Sequence, residues 1–161
     1  MCLKTLVVRM MAVLVLASVI VGVTPSQAAE KNYTNKELKM MSAIIFCEAG
    51  NQSQAGMEAV GIVVMNRKKS KSFPNSIEGV LKQRGQFTPV RTGKWKREMQ
   101  KYSDGKYKSG DKAKCVKAAK AALEGKTVVT YKGKKINMQK YHFFSQRLSN
   151  AKLRIGGHDF K

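Results

Sequence analysis

The chain predicts an α+β domain, mainly helical, with a small antiparallel β element in its C-terminal half. Three observations carry that expectation. Residues 34–50 hold a capped helical pattern with one apolar face. A second helical pattern, apolar nearly all round, follows after a short polar connection. From Thr127 onward, β-branched and aromatic runs flank a glycine turn.

Residues 1–28 stand apart from that domain. Lys4 and Arg9 precede an unbroken apolar run from Met10 to Val23, 14 residues long, and Thr24-Pro25 breaks it. Ser26, Gln27 and Ala28 place small residues at the −3 and −1 positions of a signal-peptidase site. The run is shorter than the roughly 20 residues that span a bilayer. Cleavage after Ala28 and export are expected, with an uncleaved N-terminal anchor as the alternative. The remaining 133 residues have the size of one domain, without an internal repeat or a dividing linker.

The charge is strongly positive, +21 over the chain. Residues 1–28 contain two of the 31 Lys and Arg and none of the ten acids, so their removal leaves +19. Such a field draws the protein to polyanions and says nothing of its fold. In an intracellular protein it would suggest nucleic acid; in an exported one, anionic wall polymers, peptide carboxylates and lipid headgroups come first. Nucleic acid is not expected as a partner, and a monomer is.

Residues 29–37 form a polar lead-in and a helix cap. Thr34 to Glu37 match the capping box, Thr34 as N-cap and Glu37 three positions on. The helix that follows carries its apolar stripe on Leu38, Met41 and Ile45. The next position on that stripe is Glu48, one turn before Gly50 stops the helix. From about Gln54 to Lys69 no polar face is visible, the mark of a buried helix, although Val and Ile leave a strand as the alternative. Gly61 in its middle implies close packing by a neighbour, which the short connection makes the Glu48 helix.

Phe73 to Ser76 reads as a turn, Ser76 capping a short helix through Ile77, Val80 and Leu81. Gly85 to Val90 reads as extended, and the Lys-rich stretch from Arg91 to Gly110, with the only Trp, Trp95, as surface structure with a helical turn near Trp95 to Tyr102. A helix from Asp111 to Gly125 presents Val116, Ala119 and Leu123, with Cys115 and Ala122 alongside. Strands are expected at Thr127–Tyr131 and Tyr141–Phe144, with a turn around Gly133.

No metal site is expected, because His142 and His158 lie far apart without neighbours at ligand spacing; nor is any cofactor. With Cys2 removed, Cys47 and Cys115 remain as a possible disulfide or as two small buried hydrophobes. A Cys47–His nucleophile is disfavoured, since Cys47 points about 100° away from Glu48 on the helix. Glu48 itself sits where a helix C-terminus and apolar neighbours both raise a carboxyl pKa, while the lysine field opposes them. A protonated carboxyl near neutrality is what general acid catalysis at a glycosidic oxygen requires. On spacing alone Glu48 is either such an acid or a structural glutamate bonded to buried backbone or a basic side chain.

The blocks IIFCEAGNQSQAGMEAVGIVVMNR, FPNSIEGVLKQRGQFTPV and RIGGHDF resemble, in order, the SleB-like cell-wall hydrolases, the spore cortex-lytic enzyme family. The resemblance runs from about Leu38 to Phe160. It implies a lysozyme-like single catalytic domain over residues 38–161, similar to lytic transglycosylases, that cleaves the MurNAc–GlcNAc linkage of peptidoglycan through one glutamate, here Glu48. Many relatives carry a second acid four residues later, in an EARGE-like block; this chain has Gln52. Many also carry an upstream peptidoglycan-binding domain; none is expected here, and the positive charge is expected to target the wall instead.

Two-carboxylate glycosidases need a partner across the bond. Of the mature acids, Glu58 and Glu78 are expected to be solvated or paired and Asp159 lies at the tail; the missing partner, with the resemblance, favours transglycosylation over hydrolysis. Gln86 and Phe87 are expected to line the sugar cleft, or else to be a turn amide and a core Phe. His158 is expected to close the cleft or orient a hydroxyl, or to be a satisfied structural histidine. Trp95 and Tyr102 would stack on a sugar or simply pack at the surface. The alternative of a different class is a non-catalytic cationic wall-binding or antimicrobial protein on the same fold.

Overall fold

In a computed structural model the described residues are 31–161, so the expected signal segment lies outside them. The first helix, α1, spans Asn35–Ala49 and begins as its sequence dictates. Glu37 N–H donates to Thr34 Oγ1 at 3.1 Å, and Thr34 N–H donates to the Glu37 carboxylate at 2.8 Å. Leu38, Met41 and Ile45 are buried along its stripe. The second helix, α2 (Gln54–Lys69), is the hub of the core, buried from Ala55 to Arg67. A helix without a polar face has to be enclosed by others, and here α1 and α6 (Gly110–Leu123) enclose it.

Gly61 is the contact point. A Cβ built there would lie 3.0 Å from Ala122 Cβ and 3.0 Å from Ile45 Cδ1. The close approach expected of α1 is thus shared with α6, whose buried face is rotated towards Cys115, Ala118, Ala119 and Ala122, leaving Val116 partly exposed. Small side chains let the backbones approach, and Val116 is too bulky to face Gly61.

Helix α3 (Ile77–Lys82) is capped by Ser76, which accepts from Gly79 N–H at 3.1 Å. The segment expected to be extended instead forms a helical turn, α4 (Thr88–Arg91), with Pro89 in its first turn, where a missing N–H costs nothing. The stretch expected to be surface structure forms a ten-residue helix, α5 (Lys94–Ser103), which lies against α1. Trp95 is buried, only 5% exposed, and donates its indole N–H to Met40 O at 3.0 Å. Tyr102 packs on Tyr107 with ring centroids 5.2 Å apart. Neither aromatic is the open sugar platform that their lysine-rich context suggested.

The β part comprises two small antiparallel sheets. Strands β1 (Val128–Tyr131) and β2 (Lys134–Asn137) form a hairpin across Lys132-Gly133, both at positive φ as a type I′ turn requires. Strands β3 (Phe144–Ser145), β4 (Leu153–Ile155) and β5 (His158–Phe160) form the second, with β5 central. Of the expected Tyr141–Phe144 strand only Phe144 falls within β3, and Phe143 extends the pairing by exchanging backbone hydrogen bonds with Lys161 at 2.8 and 3.0 Å.

The C-terminal part is fastened to α2 by the Asn66-Arg67 pair. Asn66 donates to the carbonyls of Met138 and Tyr141 at 2.7 and 2.8 Å. Arg67 donates Nε–H to His142 O at 2.6 Å, its guanidinium 5.3 to 5.4 Å from the rings of Phe73, Phe87 and Phe143. Burial pulls Arg67 down to about 10, so it keeps its charge near neutrality.

Candidate active site

Glu48 stands in the last turn of α1, half-buried, where the helix is about to expose its free carbonyls. It faces a polar cavity of about 340 Å³. Gln86 and Thr88 border the cavity from the α3–α4 connection and the start of α4; Phe144 and Ser145 border it from β3, Gln146 from just after it, and His158 from β5. Gln86 and His158, 38 and 110 positions after Glu48, play no part in its local helix but decide its surroundings. Among the described residues Glu48 is the sole carboxylate lining this cavity.

Burial raises the Glu48 carboxyl above the usual carboxylate range, and the Lys94 ammonium partly offsets it. The opposition that sequence left unsigned is therefore resolved in favour of desolvation. The other acids are occupied. Glu58, buried, pairs with Lys126 at 2.6 Å and accepts from Gln54. Glu78 is bonded to Lys36 and Lys82, whose ammonium groups pull it down to about 2. Asp159 pairs with Arg154 at 2.7 Å.

Of the residues expected around the sugar, Gln86 and His158 do border the cavity. Phe87 does not: it is 3% exposed, packed on Arg67 and on Phe144, because the turn that exposes Gln86 directs its neighbour into the core. His158 is 5% exposed, edge-on to Phe144, and its Nδ1 has no hydrogen-bond partner. Burial, followed by Arg154, pulls its pKa down against the opposing pull of Asp159, so the imidazole is neutral near pH 7.

Gln52 is outside the cavity lining. Its Oε1 accepts from Gly157 N–H at 2.8 Å and its Nε2 donates to Asn51. A Cβ at Gly156 would come within 2.5 Å of that Oε1, and Gly156 is at φ 57°. The position where many relatives place an acid thus holds the β4–β5 turn immediately before His158.

The disulfide considered between Cys47 and Cys115 is not formed; both are free, and Cys115 Sγ lies 3.8 Å from Met57 Sδ in the core. Desolvation pushes Cys47 up to about 11 and Cys115 up to about 12, leaving thiols that are poor nucleophiles near neutrality. Cys47 nevertheless borders the cavity beside Glu48. Side chains 100° apart can both edge a cavity that opens across a helix end, so angular separation was too strict a test. Cys47, Thr88, Phe144, Ser145 and Gln146 were not foreseen as cavity residues. The only signal was adjacency, to Gln86-Phe87 and to the expected strand ending at Phe144. Among the described residues no cluster of three or more His, Cys, Asp or Glu is arranged to hold a metal ion.

A family model described as cell wall hydrolase matches residues 51–161. The chain belongs to the cell wall hydrolase family. The match begins three residues after Glu48, so the assignment of that glutamate rests on the cavity and not on the matched span. The spore cortex-lytic enzyme of Oceanobacillus iheyensis is 32% identical over 72 residues, 45% of this chain and 26% of that protein. The Bacillus subtilis spore cortex-lytic enzyme is 31% identical over 61 residues, 38% of this chain and 20% of that protein. The aligned part is thus about a quarter or less of the length of these relatives. The fold is similar to the catalytic domain of the germination-specific lytic transglycosylase SleB from Bacillus anthracis, with a TM-score of 0.56 at 22% identity, covering 85% of this chain and 98% of that one. The Bacillus cereus SleB catalytic domain matches with a TM-score of 0.54, also at 22% identity, over 80% of this chain and 91% of that one. At that identity the likeness concerns the fold, and it agrees with the expected α+β class.

Proposed function

We propose that this protein cleaves the MurNAc–GlcNAc bond of peptidoglycan by lytic transglycosylation, with Glu48 as the single general acid and base. One observation carries the reading: a half-buried carboxyl, raised by desolvation, faces a cavity that no other described carboxylate lines. In the protonated form Glu48 gives its proton to the glycosidic oxygen as the C1–O bond breaks. The resulting carboxylate takes the proton of the muramic C6 hydroxyl, whose oxygen closes on C1 to give the 1,6-anhydro sugar. Neither a second acid nor an activated water is needed. Gln86 holds a sugar hydroxyl beside the bond, and the buried imidazole of His158 shapes the cavity wall. Membership of the family and relatives named for spore cortex lysis support peptidoglycan as substrate and action outside the cytoplasm, as does the segment before residue 29 read as an export signal.

Mass spectrometry of products from defined glycan strands tests the reaction. Products ending in anhydro-muramic acid are expected; reducing ends, heavier by one water, would replace transglycosylation by hydrolysis. Lys94→Met tests the acid itself. Removing the charge that opposes desolvation raises the Glu48 pKa, so the alkaline limb of the kcat/KM profile should move to higher pH. An unmoved limb would mean that Glu48 is not the group titrating there.

The net charge, +21 over the chain and +19 without residues 1–28, favours a second component of the same reading, electrostatic attachment to anionic wall polymers. Attachment to purified walls should weaken steadily between low salt and 1 M salt, where the screening length falls to about 3 Å. Salt-independent attachment would remove charge as the targeting device.

A further inference from the structure

A second and larger concavity, about 490 Å³, lies along α1 from its N-terminal half to the N-terminal part of α5. Its floor is apolar, made by Met40, Val90, Met99 and the edge of Trp95, and lysines form its rim. Lys36 and Lys82 are already committed to Glu78 at 2.7 and 2.6 Å. Lys39 and Lys96 have no acidic partner among the described residues; Lys39 makes only a 3.4 Å contact to Ser103 Oγ. The groove therefore offers apolar contact below and uncompensated positive charge above.

It is linked to the candidate active site by the α4–α5 segment and by the length of α1. Thr88 borders the cavity, Val90 and Gly93 border the groove, and Lys94 between groove and cavity acts on Glu48. Along α1, Met40 and Glu48 are eight residues apart, about 12 Å of helix rise. An extended peptide covers that distance in about four residues, at roughly 3.3–3.6 Å each.

Resting on the peptidoglycan reading above, we infer that this groove binds the acidic stem peptide borne by muramic acid next to the bond being cleaved. A stem peptide presents alanyl methyl groups and carboxylates along one short extended chain, which matches an apolar floor beneath a lysine rim. Glycan stripped of its peptide is hydroxyl-covered, keeps only the single lactyl carboxylate of each muramic acid, and gains little from a methionine floor. A phosphate polymer satisfies the lysines and leaves the floor unused. The consequence is a preference for muramic acid that carries its peptide over muramic acid that has lost it.

The test uses the full protein, its single Trp and two substrates. The probe is the soluble tetrapeptide L-Ala–γ-D-Glu–meso-diaminopimelate–D-Ala. Binding should change Trp95 fluorescence saturably, and Lys39→Gln/Lys96→Gln should weaken it about tenfold. In cleavage assays, KM should be about tenfold lower for peptide-bearing glycan than for amidase-stripped glycan, and the double variant should lose that preference while cleaving stripped glycan as before. Lys96→Gln alone, at an exposed side chain, should give part of the loss and guards against a folding artefact in the double variant. Equal KM values for the two glycans, no tetrapeptide binding, or equally tight displacement of the tetrapeptide by polyglycerol phosphate would each overturn the inference. Tetrapeptide binding without any glycan cleavage would instead sink the proposed reaction and leave the groove's ligand standing.

Discussion

Glu48→Gln is expected to lower cleavage of purified peptidoglycan by about 10²–10⁴-fold, the range that a positioned general acid and base contributes. Glutamine keeps the shape of the side chain and its place in the last turn of α1, but neither gives nor takes a proton. Stability should not suffer. A carboxyl whose native pKa is raised binds more protons folded than unfolded just above the ordinary carboxylate pKa. Its contribution to stability is therefore present at low pH and lost as pH rises through the native value. At neutral pH the neutral amide removes that cost, so the variant should unfold at a denaturant concentration no lower than wild type. Retained wall binding with lost lysis separates an enzyme from a silent cationic wall binder; lysis at the wild-type rate would rule out Glu48 as the catalytic group.

Asn66→Ala is expected to have the largest effect on stability, about 2–4 kcal/mol. Two hydrogen bonds are lost, and the carbonyls of Met138 and Tyr141 lose their amide donor at a buried position. Urea unfolding monitored by Trp95 fluorescence measures it. The segment from Met138 leads into β3, whose residues border the Glu48 cavity, so activity should fall more steeply with temperature than in wild type. A change below about 0.5 kcal/mol, the level of an ordinary surface substitution, would show that packing alone holds this segment to α2.

The two substitutions touch opposite kinds of information. Glu48 was visible in the sequence because its oddity is local, a carboxylate on an apolar stripe one turn from a helix stop. The same holds for the Thr34–Glu37 cap, the apolar surround of α2 and the Ser76 cap, each of which depends on residues three or four apart. Asn66 was visible only inside the block IIFCEAGNQSQAGMEAVGIVVMNR. Its partners lie 72 and 75 residues on, at distances that no periodicity encodes.

Trp95 and the short strands follow the same line. Trp95 was taken for surface because its neighbours are lysines, yet a helix of charged residues can still turn one indole inward, and the Met40 carbonyl gives its N–H a partner. Strand β2 was missed because KKIN lacks apolar alternation, its pairing coming from the hairpin turn. Strands β4 and β5 are three residues each, too short for a period to show.

By itself, then, the sequence determined the capped helix that presents Glu48, the buried helix behind it, the helix-then-strand order and the excess of positive charge, since these arise from spacing along the chain or from composition. Only the tertiary structure decided that Gln86 and His158 meet Glu48 while Phe87 turns away, that Cys47 and Cys115 remain apart as thiols, and that desolvation outweighs Lys94 at the carboxyl. The reason is physical: a pKa, a cavity wall and a hydrogen-bond partner depend on what is brought within a few ångströms, and here those groups come from α1, α4, β3 and β5, which only the packed core sets side by side.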